Sequence, residues 1–227
     1  MRRLPAAVLV DQDGTVVDTE PVWEKCESAI LSDMGGVLTP QMRFRMVGGP
    51  LRRTIDVMNE AAARPRPAAE LEAELVEAVA RIIDVDGAPW MPQTEPFMKR
   101  VKGVGIPIGL VTSAWGRIAR AVAAQAPAGG FDLVIAGDEV ARPKPAPDAY
   151  LEAANRLGVA ITECVIVEDS PTGIRAAVES GAHVVVIPNE LAVEASPAYS
   201  RVNSLDELDE EALGRIMAGE RIDTFRG

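Results

Sequence analysis

The fold of this chain is decided by the stretch Ala7-Val8-Leu9-Val10-Asp11-Gln12-Asp13-Gly14-Thr15. Its apolar residues predict a short buried strand, and the glycine after the two aspartates predicts a reversal of the chain. Asp11 and Asp13 therefore stand where the strand ends, separated by one residue. Carboxylates in this arrangement can share a hard cation while one of them attacks an electrophile. An acidic turn without a chemical role is the alternative interpretation at this point.

Three later segments of the sequence contain further polar groups. In two of these segments the polar groups come directly after an apolar run. The groups are Thr112, Ser113, Lys144, Glu168 and Asp169. Because the carboxyl ends of parallel strands lie along one edge of a sheet, residues distant in sequence converge there. An attacking carboxylate, a hydroxyl, a lysine cation and an acidic pair are the groups that phosphoryl transfer requires.

Strand and helix patterns alternate along most of the chain. Short apolar segments predict strands at residues 6–10, 106–111, 133–136, 165–167 and 184–187. Helices are predicted between them at residues 95–102, 117–125, 147–157, 173–180 and 205–217. This alternation predicts an α/β fold with a doubly wound, Rossmann-like parallel sheet.

Residues 18–89 interrupt the alternation and contain no convincing strand. Residues 24–34 and 70–83 carry apolar side chains at helical spacing, and prolines near residue 65 separate the helices. We therefore expect an α/β catalytic core at residues 1–17 and 90–227, with an inserted all-helical cap domain at residues 18–89. Lids of this kind exclude water and add specificity.

The composition restricts the class of partner. The chain has 227 residues, 48% of them hydrophobic, and a formal net charge of −11. This charge argues against binding to nucleic acid or anionic membranes, whereas local cations still permit a small anionic substrate. Cys26 and Cys164 form no metal or disulfide pattern and suit a reduced cytoplasm. The apolar start is too short for a signal peptide, so we expect a cytoplasmic protein.

Four motifs in order resemble those of the haloacid dehalogenase-like hydrolases, in the branch with a helical cap that includes phosphatases and β-phosphoglucomutase. The first motif is Asp11-Gln12-Asp13-Gly14-Thr15, although the family usually has an apolar residue at the position of Gln12. The others are Val111-Thr112-Ser113, Lys144-Pro145-Ala146-Pro147-Asp148 and Val167-Glu168-Asp169-Ser170-Pro171-Thr172-Gly173. The resemblance covers nearly the whole chain.

The resemblance implies a role for each carboxylate. Asp11 is expected to be the nucleophile that forms an aspartyl-phosphate, and Asp13 the general acid and base. Mg²⁺ is the expected cofactor, held by Asp11, the backbone carbonyl of Asp13 and Asp169, with Glu168 close by. Oxygen ligands of this kind suit that ion.

The remaining motif residues are expected to bind substrate. Thr112 and Lys144 would hold the transferring phosphoryl group, and Ser113 could substitute for Thr112. In the cap, residues 45–50 resemble the family's substrate-specificity loop. Candidate contacts to the distal end of the substrate are Arg45, Gly48, Arg52 and Arg53. Cap arginines without a functional role are the alternative.

We therefore expect a Mg²⁺-dependent phosphatase that acts on a small phosphorylated metabolite, such as a sugar phosphate. A β-phosphoglucomutase-like phosphomutase is the alternative within enzymes, but Trp23 replaces the histidine that the mutase has at the aligned position. A non-catalytic protein that binds a phosphorylated ligand is the alternative of another class. We expect a monomer that binds neither nucleic acid nor membranes.

Overall fold

The computed structural model describes residues 3–47, 50–189 and 193–226. These residues form a parallel sheet of six strands in the spatial order β3-β2-β1-β4-β5-β6. The strands are β1 (Ala7–Val10), β2 (Ile108–Val111), β3 (Leu133–Ile135), β4 (Cys164–Glu168), β5 (His183–Val186) and β6 (Ser200–Arg201). The predicted doubly wound α/β fold is confirmed.

Nine α-helices connect or flank these strands among the described residues. They are α1 (Glu20–Asp33), α2 (Pro40–Met46), α3 (Leu51–Ala61), α4 (Ala68–Asp86), α5 (Thr94–Gly103), α6 (Gly116–Ala123), α7 (Asp148–Leu157), α8 (Pro171–Ser180) and α9 (Glu210–Met217). The chain divides into two compact units, one formed by Met1–Asp18 and Pro89–Gly227 and the other by Thr19–Ala88. The first unit contains the sheet and the second contains α1 to α4.

Both faces of the sheet are buried, which explains why its strands are continuous apolar runs rather than alternating ones. Val8, Val10 and Val167 pack in one core cluster, which also contains side chains of α5 and α9. Leu9 and Ile166 point to a second cluster, which contains side chains of α7 and α8. Successive residues of each strand thus alternate between the two clusters. The sheet is therefore a rigid support for the groups at its carboxyl edge.

Two elements differ most from the sequence prediction, whereas the other predicted strands and helices shift by one to four residues at an end. Helix α9 begins at Glu210, because Leu205–Glu207 form a 3₁₀ turn and the side chain of Asp209 caps the helix, accepting from the Ala212 N–H at 2.8 Å. Strand β6 was not predicted, since two residues are too few to produce a periodic pattern.

The helical unit begins shortly after the first motif. Asp18 and Pro89, which flank this unit in the sequence, are adjacent, because the Asp18 N–H donates to the Pro89 carbonyl at 2.9 Å. Within this unit Arg43 joins α2 to α1 through ion pairs with Glu20 at 2.6 Å and Glu27 at 2.7 Å. In the part of the chain that the structure describes, no helix is both long enough and apolar enough to cross a membrane.

Candidate active site

The order of the strands places the candidate site between β1 and β4. Chain connections leave the sheet in opposite directions at this pair, and open sheets bind ligands in the crevice that results. Val10 is paired with Val167, and the Asp11 N–H donates to the Val167 carbonyl at 3.0 Å. Asp11 and the acidic pair after β4 are therefore neighbours because of the register of the sheet.

Lys144 lies at the centre of the site, and its side chain is only 2% exposed. Its ammonium group donates to Asp11 Oδ1 at 2.6 Å, to Glu168 Oε1 at 2.7 Å and to the Val111 carbonyl at 2.9 Å. An ammonium group has three N–H donors, so all three are used. The lysine is held between the ends of β1, β2 and β4.

Glu168 is fully buried, and several donors contact its carboxylate. Its Oε1 accepts from Lys144 and, at 2.6 Å, from the hydroxyl of Tyr150. Its Oε2 accepts from the Asp169 N–H at 3.1 Å, the Ser170 N–H at 3.3 Å and the Ser170 hydroxyl at 3.2 Å. Donors therefore surround both oxygens, and the carboxylate is a fixed counter-ion for Lys144.

Two glycines make room for the acidic pair. A Cβ at Gly173, in the first turn of α8, would lie 1.8 Å from Glu168 Oε1. A Cβ at Gly14 would lie 2.0 Å from Asp169 Oδ2, and Gly14 also has a φ of +84°, which favours glycine. The glycines of the first and fourth motifs are thus required by the carboxylates beside them.

The donor set fits a divalent cation. Carboxylate oxygens of Asp11, Glu168 and Asp169 lie within 4.8 Å of one another. No donor in the described part of the chain reaches the buried Oδ1 of Asp169, which leaves a polar atom that a cation would satisfy. Oxygen-only ligands suit Mg²⁺ or a similar hard ion.

Burial controls the protonation of the carboxylates when no cation is bound. Desolvation raises the pKa of Asp11 to about 7, although the charge of Lys144 acts in the opposite direction. Desolvation, together with the charges of Asp11 and Glu168, raises the pKa of Asp169 to about 9. Burial alone would lower the pKa of Lys144, but the carboxylates of Asp11 and Glu168 outweigh it and raise this pKa. Lys144 therefore remains a cation.

The residues after β2 lie at the same edge. Thr112 is buried directly after the strand, and its hydroxyl oxygen accepts from the Ala114 N–H at 2.9 Å. The hydroxyl proton is thus left to donate elsewhere. Ser113 is exposed. Asp13 is half-buried, and its charge contributes to raising the pKa of Asp11, so the two carboxylates lie close together.

Arg45 and Arg52, two of the predicted substrate contacts, belong to the helical unit. Arg45 is exposed and pairs with Glu60 at 2.7 Å. Arg52 is also exposed and pairs with Asp56 at 2.9 Å, one helical turn away. Gly48 lies outside the described residues. The roles of these three residues stay predictions.

Two contacts at the site were not predicted from the sequence. Tyr150 lies in a predicted helix, where an aromatic residue at helical spacing indicates core packing, and nothing local indicates a bond to Glu168. Gln12 was noted only as unusual for its position, and its amide contacts Asp13. Polar residues at apolar positions of a motif are the signal that could have identified it.

The fold and the site together define an α/β protein with an acidic, lysine-containing crevice at the carboxyl edge of its sheet. A family model described as haloacid dehalogenase-like hydrolase matches residues 5–181. Hexitol phosphatase A of Escherichia coli is 30% identical over 203 residues, which cover 87% of this chain and 87% of that protein. Fructose-1-phosphate phosphatase YqaB of Escherichia coli is 32% identical over 181 residues, covering 78% and 93%.

A solved structure agrees at the level of the fold. The HAD hydrolase of family IA, variant 3, from Entamoeba histolytica superimposes with a TM-score of 0.81 at 21% identity, covering 93% of this chain and 99% of that one. The chain belongs to the haloacid dehalogenase-like hydrolase family.

Proposed function

We propose that this protein is a Mg²⁺-dependent phosphatase that hydrolyses a small phosphorylated metabolite through an aspartyl-phosphate on Asp11. The observation that carries the proposal is the ammonium group of Lys144, 2.6 Å from Asp11 Oδ1 and 2.7 Å from Glu168 Oε1. A carboxylate can approach an anionic phosphoryl group only if fixed positive charge offsets the repulsion. A buried lysine beside the nucleophile supplies that charge.

In the first half of the reaction Asp11 attacks phosphorus while Asp13 protonates the leaving oxygen. Lys144 offsets charge on Asp11 and on the phosphoryl oxygens. The Thr112 hydroxyl would donate a hydrogen bond to one of these oxygens. In the second half Asp13 takes a proton from the water that cleaves the aspartyl-phosphate, and Asp11 is restored.

Asp11 and Asp169 would hold Mg²⁺ together with the backbone carbonyl of Asp13, and Glu168 would support them from behind. When bound, the ion supplies positive charge that keeps Asp11 ionised and neutralises the substrate phosphate. Oδ1 of Asp169, which has no partner among the described residues, supports this assignment. Lys144 and Glu168 would keep their mutual contact throughout.

The proposed substrate is a sugar phosphate or a similar phosphomonoester. Support comes from the names of two relatives, hexitol phosphatase A and fructose-1-phosphate phosphatase YqaB. We propose that the helical unit, as a cap, selects the substrate, with Arg45, Gly48 and Arg52 as contacts. The proposal includes a monomer in the cytoplasm, which suits the two free cysteines, Cys26 and Cys164.

The test is release of phosphate from a panel of sugar phosphates and other phosphomonoesters, with Mg²⁺ and with a chelator. We expect turnover that requires Mg²⁺ and is abolished by Asp11→Asn, whereas the exposed control Asp33→Asn keeps wild-type turnover. Mass spectrometry of acid-quenched enzyme should find phosphate on Asp11. Equal turnover by Asp11→Asn would overturn the mechanism, and conversion of a sugar 1-phosphate to the 6-phosphate would favour the phosphomutase. Ligand-induced thermal stabilisation without turnover would favour the non-catalytic binding protein.

A further inference from the structure

Gln12 is a fully buried amide between the two aspartates of the first motif. Its side chain Nε2 lies 3.2 Å from Asp13 Oδ1 and 3.2 Å from Asp13 Oδ2, so the amide NH₂ group contacts both oxygens of the carboxylate. A single donor that faces both oxygens fixes the direction of the carboxyl group as well as its distance. Asp13 therefore has a lateral support that does not come from the metal or from the substrate.

The other end of the same amide is unsatisfied. Across residues 3–47, 50–189 and 193–226, no donor reaches the buried Oε1 of Gln12. A buried acceptor without a partner costs free energy that an apolar side chain of the same shape would not. Stability therefore does not explain a glutamine here, whereas its contact with Asp13 does.

The backbone of Gln12 gives the side chain a fixed origin. Its carbonyl oxygen accepts from the backbone N–H groups of Thr15 at 3.3 Å, Val16 at 3.0 Å and Val17 at 3.1 Å. Three bonds to one carbonyl close the turn that follows β1. An amide that leaves from such a turn can hold a neighbouring carboxyl in one orientation.

We propose that Gln12 is a positioning residue, which holds the carboxyl group of Asp13 in the orientation that proton transfer requires. This inference rests on the proposed function, in which Asp13 gives a proton to the leaving oxygen and later takes one from water. A small displacement of a catalytic group from its reactive geometry can reduce the rate about 100-fold. The orientation of Asp13 limits the rate, and this role accounts for a glutamine at position 12 despite its unsatisfied Oε1 atom.

The test is Gln12→Met, which keeps the shape of the side chain and removes both polar atoms. We expect kcat to fall about 10- to 100-fold, with KM changed less than about threefold, since the phosphoryl group is bound elsewhere. The melting temperature should be unchanged or higher, because the unsatisfied oxygen is gone. Gln12→Leu should behave in the same way, and the control Gln125→Met, at an exposed position two residues after α6, should change neither quantity.

A lower melting temperature together with the loss of kcat would show that Gln12 is only structural. An unchanged kcat would overturn the inference while leaving the phosphatase intact. If the wild type has no turnover, the proposed function fails instead, and a thermal double-mutant cycle of Gln12→Met with Asp13→Asn still tests the contact. Additive shifts in that cycle would overturn the inference independently of activity.

Discussion

Lys144 and Tyr150 bond to the same oxygen atom, Oε1 of Glu168, at 2.7 and 2.6 Å. The ammonium group also lies 4.7 Å from the centroid of the Tyr150 ring, which adds a cation–π attraction. Burial and then the charge of Glu168 raise the pKa of Tyr150 well above its ordinary value, so its hydroxyl remains a donor. Tyr150 thus fixes the lysine in two ways, through its ring and through the carboxylate that both residues share.

The first prediction concerns the hydroxyl of Tyr150. Tyr150→Phe keeps the ring and removes a buried donor to a charged acceptor, a bond worth about 1.5–3 kcal/mol. We expect the melting temperature to fall by roughly 3–12 °C, since a chain of this size shifts by about 2–4 °C per kcal/mol. Thermal unfolding followed by circular dichroism measures this.

The matched control is Tyr199→Phe. The Tyr199 hydroxyl also bonds at 2.6 Å, but to the exposed backbone carbonyl of Glu194. We expect this variant to unfold within about 1 °C of the wild type, because water replaces an exposed bond at little cost. Equal shifts in melting temperature for the two substitutions would show that the bond to Glu168 contributes no more to stability than the exposed bond does.

The second prediction concerns Gly173. Because the carboxylate of Glu168 is held by Lys144, Tyr150 and Ser170, it cannot move away from a methyl group added at this glycine. We expect Gly173→Ala to destabilise the protein by about 1–3 kcal/mol through overpacking. The added methyl group should also displace Lys144 and reduce kcat by at least about 100-fold.

Gly103→Ala is the control for this substitution. Gly103 ends α5, and a Cβ there would meet no atom of the described part of the chain within 4 Å. We expect unchanged kcat and unchanged or slightly higher stability, because alanine restricts the unfolded chain. Chemical denaturation and steady-state kinetics on both variants provide the comparison. Wild-type kcat in Gly173→Ala would contradict the fixed position of Glu168.

The fold, the four carboxylates of the motifs and Lys144 can be predicted from the sequence. Each of them depends on a local pattern of residues. Apolar runs that end in polar residues identify strand ends, and the parallel sheet then brings those ends to one edge. Asp11 and Asp169 follow from this rule without knowledge of any contact, whereas Lys144 ends no apolar run and is assigned through the third motif. The expected convergence is borne out by the distances between them.

The contacts that support these groups could not be predicted, because they depend on side-chain directions between separate elements. Tyr150 belongs to α7, whereas its partner Glu168 ends β4, and no periodicity encodes that bond. The close approach of Gly173 to Glu168 depends on how α8 begins, with the Ser170 hydroxyl accepting from the Gly173 N–H at 3.1 Å. Gln12 departs from the family's pattern, but only the structure shows that its amide faces Asp13.

The third prediction concerns stability and pH in the absence of metal. Burial and neighbouring charges raise the pKa of Asp169 to about 9, whereas the pKa of an unfolded aspartate is about 3.9. Between these values the folded state retains a proton that the unfolded state has lost, so this residue's contribution to stability falls as the pH rises. When a chelator is present, Asp169→Asn removes this loss of stability. We expect it to melt at least about 3 °C above the wild type near pH 8, with a smaller difference near pH 5.

With Mg²⁺ the wild type should melt above Asp169→Asn, because the ion binds the ionised carboxylates of the folded wild type and stabilises that state. The stabilisation should grow as the pH rises toward about 8, since binding must displace the protons that Asp11 and Asp169 hold without metal. Asp169→Asn lacks a ligand and should gain little from Mg²⁺ at any pH.

The exposed control Asp33→Asn should follow the wild type throughout. A difference between Asp169→Asn and wild type that stays constant with pH in chelator would show that Asp169 is not held protonated. An equal response of the two proteins to Mg²⁺ would remove Asp169 from the metal site.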